Sequence, residues 1–247
     1  MSLSIKEDDR YVVWFDIDNT LYSASSSVYP EMVKRTHAYF MNLGLSAGEA
    51  SDLQWKYYRQ YGLPLRGLVL NHDVDPLHFD KECDGSIPLE EMITFNSSVR
   101  KLLQDIDRSK ARVWVLTNAY LNHAQRVLRI LGLEDQVEGI AYCDYKDPNF
   151  TCKPEPAHYR QAMRLANVTE TSRCLFVDDS KGHVESAKAL GWEGCVHFCE
   201  TASSSFDGGK EGTNDNGVIV INDLEQLRDV WPYIFINTKS ASSKLDH

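Results

Sequence analysis

The chain has 247 residues, 43% of them hydrophobic, which suits one sizeable core with room for a smaller insert. A formal charge of −10 argues against a general nucleic-acid backbone binder or a ligand of anionic membrane surfaces, so an anionic substrate would need a local positive device. No stretch approaches the roughly 20 apolar residues of a membrane span, and the polar start MSLSIKEDDR lacks the basic-then-apolar pattern of a signal peptide.

Tyr11 to Asp16 is β-branched and aromatic without polar alternation, and reads as a strand buried on both faces. It runs directly into Asp16 and Asp18. Helical patterns follow over Tyr29 to Phe40, where Pro30 suits a first turn, and over Ser46 to Tyr61, where Ser46 and Glu49 have capping-box spacing. Shorter helical pieces are expected at Leu65 to Leu70 and Pro76 to Cys83. About 70 residues are too many for an ordinary connection of roughly 4 to 6. Residues 24–95 are therefore read as an inserted helical domain, 1–23 and 96–236 as the core, and 237–247 as a disordered tail. Ser97 to Ile106 is helical, and RVWVL (Arg112 to Leu116) is a strand followed by Thr117 and Asn118. A helix over Tyr120 to Leu131, ended by Gly132, leads to the strand GIAY (Gly139 to Tyr142) and a helix over Glu155 to Leu165. CLFV (Cys174 to Val177) is a strand followed by Asp178 and Asp179, then a helix over Gly182 to Leu190. GCVHF (Gly194 to Phe198) and VIVI (Val218 to Ile221) complete the strands, and Thr201 to Gly217 between them is compositionally loose. This alternation predicts an α/β fold whose mostly parallel sheet is covered on both sides. The six cysteines, Cys83, Cys143, Cys152, Cys174, Cys195 and Cys199, have no C-x-x-C spacing and read as buried free thiols of a reducing compartment. A soluble intracellular protein is expected, cytoplasmic, with the nucleus also open.

In open parallel sheets ligands sit beyond the carboxyl ends of the strands. There the sequence gathers Asp16, Asp18, Thr117, Asn118, Asp178 and Asp179. Two carboxylates about 4 Å apart repel by about 4 kcal/mol at an effective dielectric near 20, so such a set stays partly protonated or holds a cation. An all-oxygen set without histidine or cysteine suits Mg²⁺, which prefers few carboxylates plus substrate phosphate. Lys153, in TCKPEP, could supply fixed positive charge at the same rim, and Thr117 could hydrogen-bond a phosphate oxygen. The pattern points to phosphoryl transfer, with one carboxylate as nucleophile and a second, two residues on, as proton donor and acceptor. Each motif alone has a structural reading, as turn, helix cap or solvated loop, and it is their joint placement that points to function. His123, His158 and His183 fall on predicted helices and read as surface residues or satisfied partners, with no role assigned.

DIDNT (Asp16 to Thr20), the strand-terminal Thr117 and Asn118, Lys153 with Pro154, and VDDS (Val177 to Ser180) resemble the four motifs of the haloacid dehalogenase superfamily, in order. The resemblance implies a three-layer Rossmann-like core with a central parallel sheet and an inserted α-helical cap. It implies Asp16 as nucleophile and Asp18 as general acid and base. Mg²⁺ would be held by Asp16, the Asp18 backbone carbonyl and Asp179, with Asp178 assisting, and the phosphate by Thr117, the Asn118 amide and Lys153. The acid at Asp18 is what dehalogenating members lack, so phosphatase chemistry is expected.

YYRQYGLPLRGLVLNHDVDP (Tyr57 to Pro76), with TNAYLNHAQRVLRILG (Thr117 to Gly132) and AYCDY (Ala141 to Tyr145), is similar to the fungal and plant branch of pyrimidine 5′-nucleotidases. Tyr57, Tyr58, Tyr61, Arg66, Asn71 and His72 would offer stacking and hydrogen bonds to a base, with Tyr61, Arg66 and His72 the chosen cap contacts. The structural alternative is cap packing for the tyrosines and an acid partner for Arg66. The expected activity is release of nucleoside and phosphate from a nucleoside monophosphate. A phosphatase for lysophosphatidate or a sugar phosphate, or a catalytically silent regulator, are the alternatives. The expected partner is a small phosphomonoester, with no nucleic acid, no membrane insertion and no obligate protein partner.

Overall fold

The computed structural model describes residues 8–147, 149–201 and 217–236. Of the segments read as loose, only Thr201 and Gly217 fall within that range, and the expected tail 237–247 lies outside it. Strands β1 (Tyr11–Phe15), β2 (Ala111–Leu116), β3 (Gly139–Ala141), β4 (Cys174–Asp178), β5 (Gly194–Phe198) and β6 (Ile219–Ile221) form one sheet. Its order is β3-β2-β1-β4-β5-β6 and every pairing is parallel. This is the Rossmann-like α/β architecture expected from the alternating strands and helices. The chain walks from β1 to one edge and returns to β4 beside β1, so strand order reverses between these two strands.

The apolar runs are buried on both faces because side chains alternate along a strand. Val13 and Phe15 join Leu175 and Val177 in one core, while Val12 and Trp14 join Phe176 in the other. All four β1 side chains from Val12 to Phe15 are no more than 1% exposed, and each such burial contributes about 1.5–3 kcal/mol. Trp14 stacks on Trp192 at 5.8 Å within the second core.

Between β1 and β2 the chain forms α1 (Val28–Asn42), α2 (Ala47–Tyr61), α3 (Pro64–Asn71), α4 (Pro76–Glu82), the single turn α5 (Leu89–Met92) and α6 (Ser97–Gln104). The capping box at the start of α2 is formed, with Ser46 N donating to Glu49 Oε2 at 3.0 Å and Glu49 N donating to Ser46 Oγ. Tyr39, Phe40, Tyr57, Leu65, Leu68 and Phe79 of this segment pack into a third cluster. Tyr120, Cys143, Tyr145 and Phe150, from the loops after β2 and β3, share it. The helices are therefore seated on the end of the sheet where the strands finish. Three further helices cross between strands or follow them: α7 (Leu121–Ile130), α8 (Pro156–Leu165) and α9 (Lys181–Ala189). A last turn, α10 (Leu227–Val230), follows β6. All six cysteines are free and five are buried, and burial pushes Cys174 and Cys195 up to about 12, so these thiols are unreactive at neutral pH. Among the described residues no helix is long and apolar enough to cross a membrane.

Candidate active site

Asp16 follows β1 and its amide donates to Val177 O at 3.0 Å, which fixes the ends of β1 and β4 side by side at the reversal of strand order. Asp178 is the last residue of β4, and Asp179 follows it. One carboxylate oxygen from each of Asp16, Asp178 and Asp179 lies within 4.8 Å of the others. Lys153 spans the group: Nζ donates to Asp16 Oδ1 and Asp178 Oδ2, each at 2.6 Å, and to Leu116 O at 2.8 Å. The lysine is 1% exposed.

Burial and the neighbouring Asp178 and Asp179 charges push Asp16 upward against the pull of Lys153. Burial and then the Asp178 charge push Asp179 up to about 7. Burial opposes ionisation of Asp178 too, but Lys153 and His183 hold it below the usual carboxylate range. One lysine cannot neutralise three adjoining acids, so without a cation Asp16 and Asp179 are pushed toward their protonated forms. Those two, with Asp178, form an all-oxygen donor set suited to a hard divalent cation such as Mg²⁺. The Asp18 carboxylate is not part of this set.

The motif residues also hold one another. Thr20 Oγ1 donates to Asp16 Oδ2 at 3.0 Å, and Asn19, in the left-handed region at φ 59°, donates to Asp179 Oδ2 at 3.3 Å. Asn118 grips the backbone of Lys153 from both sides: Nδ2 donates to Lys153 O at 2.9 Å, and Lys153 N donates to Asn118 Oδ1 at 2.7 Å. Thr117, 1% exposed, accepts at Oγ1 from Ala119 N at 3.0 Å. Gly62 closes α2 in the left-handed region at φ 77°, where a Cβ would lie 2.4 Å from Lys153 O. Gly62→Ala is therefore expected to lower stability by at least about 1–2 kcal/mol, and to disturb the Lys153 backbone. Denaturant unfolding checks it, and an unchanged midpoint would mean that the end of α2 moves aside freely.

Three residues with no sequence-assigned role lie in the site. Asp18 Oδ1 is 2.8 Å from His123 Nε2 and accepts from Tyr22 OH at 2.7 Å. His183 Nδ1 is 3.1 Å from Asp178 Oδ1, which also accepts from Ser180 N at 2.8 Å. Burial works against a charge on His123, but Asp18 outweighs it and raises the imidazole to about 9. A signal for both histidines exists in the sequence, because α7 and α9 open directly behind Thr117-Asn118 and Asp178-Asp179, and their first turns must face the same rim. His158 is buried on α8 and pushed down to about 3, first by burial and then by Lys153, so it stays neutral.

A cavity of about 140 Å³ opens from Asp18 and Asn118 toward the inserted helices. Tyr29, Gln54, Trp55, Tyr58, Asp84 and Tyr145 also line it, and Tyr145 OH donates to Asn118 O at 3.2 Å. Tyr61, Arg66 and His72 lie elsewhere. The Tyr61 ring packs 5.9 Å from Tyr57, Arg66 pairs with Glu155 at 3.0 Å and lies over Phe150, and His72 Nε2 meets Tyr57 OH at 2.9 Å.

Residues 12–191 match the family described as haloacid dehalogenase-like hydrolase, and the chain belongs to it. Phosphate metabolism protein 8 of Saccharomyces cerevisiae is 35% identical over 200 residues, covering 77% of this chain and 62% of the yeast protein. A phosphoglycolate phosphatase of Pseudomonas savastanoi pv. phaseolicola is 36% identical over 75 residues, 30% of this chain and 25% of that protein. The chain thus spans less than two thirds of these curated relatives. Among solved structures, a HAD phosphatase from Thermococcus onnurineus has a TM-score of 0.58 at 17% identity, covering 92% of this chain and 100% of that one. L-2-haloacid dehalogenase from Xanthobacter autotrophicus gives 0.58 at 16%, covering 91% and 99%. At such identities the likeness is one of fold.

Proposed function

We propose that this chain is a magnesium-dependent phosphomonoesterase that works through an aspartyl-phosphate on Asp16. The observation that carries the reading is the convergence of Asp16, Asp178 and Asp179 on one point, with Lys153 buried between two of them. Asp16, Asp178 and Asp179 would hold the cation, which would offset charge on the phosphoryl oxygens. Lys153, Thr117 and the Asn118 amide hold the phosphate. Asp16 attacks phosphorus, the bond to the leaving oxygen breaks, and Asp18 gives that oxygen its proton. Asp18 then takes a proton from the water that attacks the acyl phosphate, and Asp16 is restored. We further propose that residues 24–95 act as a cap that excludes bulk water over the site.

For the leaving group, the reading is a nucleoside monophosphate whose base enters the cavity beside Asp18. Support comes from the aromatic side chains of Tyr29, Trp55, Tyr58 and Tyr145 in its lining, which offer faces for a base to stack on. The resemblance to pyrimidine 5′-nucleotidases agrees with that reading, and the names of the yeast and Pseudomonas relatives agree with phosphate chemistry in general. The four acids and the lysine in place weigh against a silent regulator.

The test is a phosphate-release panel over nucleoside monophosphates, sugar phosphates and lysophosphatidate. Turnover is expected to be highest on a nucleoside monophosphate, and a preference for lysophosphatidate would refute the assignment of the cavity. Chelation of divalent ions should abolish release on every substrate, with Mg²⁺ restoring it and Ca²⁺ doing so poorly, because calcium's larger and less regular coordination misplaces the attacking oxygen. Full activity in chelator would remove the metal from the mechanism.

A further inference from the structure

Asp18 is held by one oxygen only. Its Oδ1 meets His123 Nε2 at 2.8 Å and the Tyr22 hydroxyl at 2.7 Å, and Oδ2 has no hydrogen-bond partner among the described residues. The two groups come from different parts of the chain, Tyr22 from the turn after β1 and His123 from the first turn of α7. Both are buried, at 6% and 4% exposure. On the far edge of its ring, His123 Nδ1 is buried with no partner. An imidazole sunk in the interior costs desolvation that a leucine or methionine of similar size would avoid. Among the described residues its single hydrogen bond goes to Asp18.

We propose that His123 is a positioning residue for Asp18: with Tyr22 it pins Oδ1 and so presents Oδ2 to the leaving oxygen. The torsion that turns a carboxylate about its last bond is broad and roughly two-fold. A free Asp18 would share its proton between two poorly aimed oxygens. With Oδ1 occupied by two donors, a proton that Asp18 carries or takes up sits on Oδ2. When the phosphorus–oxygen bond breaks, its electron pair stays with the leaving oxygen and the Oδ2 proton passes to it. In the second step Oδ2 takes the proton from water. The inference rests on the reading of Asp18 as general acid, and it adds which residue aims that acid.

A misplaced acid harms only substrates whose leaving group needs a proton. The experiment compares kcat/KM for p-nitrophenyl phosphate, whose phenolate departs unprotonated, with that for an alkyl phosphate, whose alkoxide does not. This ratio reports only the steps up to departure of the leaving group. His123→Ala is expected to cost about 10²-fold on the alkyl phosphate but no more than about threefold on p-nitrophenyl phosphate. His123→Gln, whose amide nitrogen reaches the place of Nε2, should recover most of that loss. Tyr22→Phe removes one donor without changing volume and should show a smaller loss of the same selectivity, even if His123→Ala does not fold. Equal losses on both substrates, or selectivity unchanged in His123→Gln, His123→Ala and Tyr22→Phe alike, overturn the proposal. Asp18→Asn separates the two levels. If it is selective and the His123 and Tyr22 variants are not, only the positioning role falls. If Asp18→Asn is itself unselective, the acid role of Asp18 falls first.

Discussion

Asp16→Asn is expected to abolish phosphate release, by about 10⁴- to 10⁶-fold, the range seen when a nucleophile acting within a catalytic unit is removed. The amide keeps the shape of the side chain but cannot form an acyl phosphate. Stability should move the other way. Asp16 is 5% exposed and pushed toward its protonated form by burial and by the Asp178 and Asp179 charges. Its ionised form is therefore strained in the fold when no cation is bound. Replacing it by a neutral group relieves that strain while Lys153 keeps Asp178 at 2.6 Å. Thermal melting in chelator should show a midpoint equal to or above that of the parent, alongside lost activity. A variant that is both inactive and unfolded would mean that Asp16 is structural. One that keeps more than about 1% of activity would remove it as nucleophile.

Lys153→Met is expected to fail in both respects. The lysine side chain is 1% exposed and bonds two carboxylates and the Leu116 carbonyl, so its loss leaves buried acids without their counter-charge. Breaking a buried ion pair from one side costs about 3–5 kcal/mol. The sign of the pH dependence follows from the same geometry. Burial opposes the charge on Lys153, but Asp16 and Asp178 raise its pKa, so its contribution is fully present at neutral pH and fades only in strongly alkaline solution. In the methionine variant Asp16 and Asp178 would be raised above their unfolded values, so it should gain stability relative to the parent as pH falls through the carboxylate range. Denaturant unfolding in chelator over a series of pH values measures this. A penalty independent of pH would show that the cost is one of packing. Activity should fall with it, since the phosphate loses its fixed cation.

The sheet was legible because parallel strands covered on both faces are nearly unbroken apolar runs. The predicted strands agree with the observed ones to within a residue at each end. The acids were legible because each sits directly behind such a run, and parallel pairing brings the ends of β1 and β4 together whatever the details of the loops. The partners of the acids were harder to read. Whether His123 turns toward Asp18 depends on the entry angle of α7, which no periodicity encodes. The lining of the cavity was harder still. At about 100° of rotation per residue, Tyr57 and Tyr61 mark one stripe of α2 and Trp55 and Tyr58 another, with Gln54 between them. The sequence shows that α2 has two aromatic-bearing faces but not which of them looks at Asp18. In the structure Tyr57 packs into the helical cluster and bonds His72, while Gln54, Trp55 and Tyr58 line the cavity. Arg66 is likewise taken by Glu155.

The most direct measurement is acid-quenched mass spectrometry of the enzyme mixed with Mg²⁺ and an excess of phosphomonoester, followed by mapping of peptides. One phosphoryl group on the peptide carrying Asp16, absent without the metal and absent in Asp16→Asn, is the predicted result. A phosphoryl group on another residue, or rapid turnover with Asp16 never modified at any quench time, would contradict it.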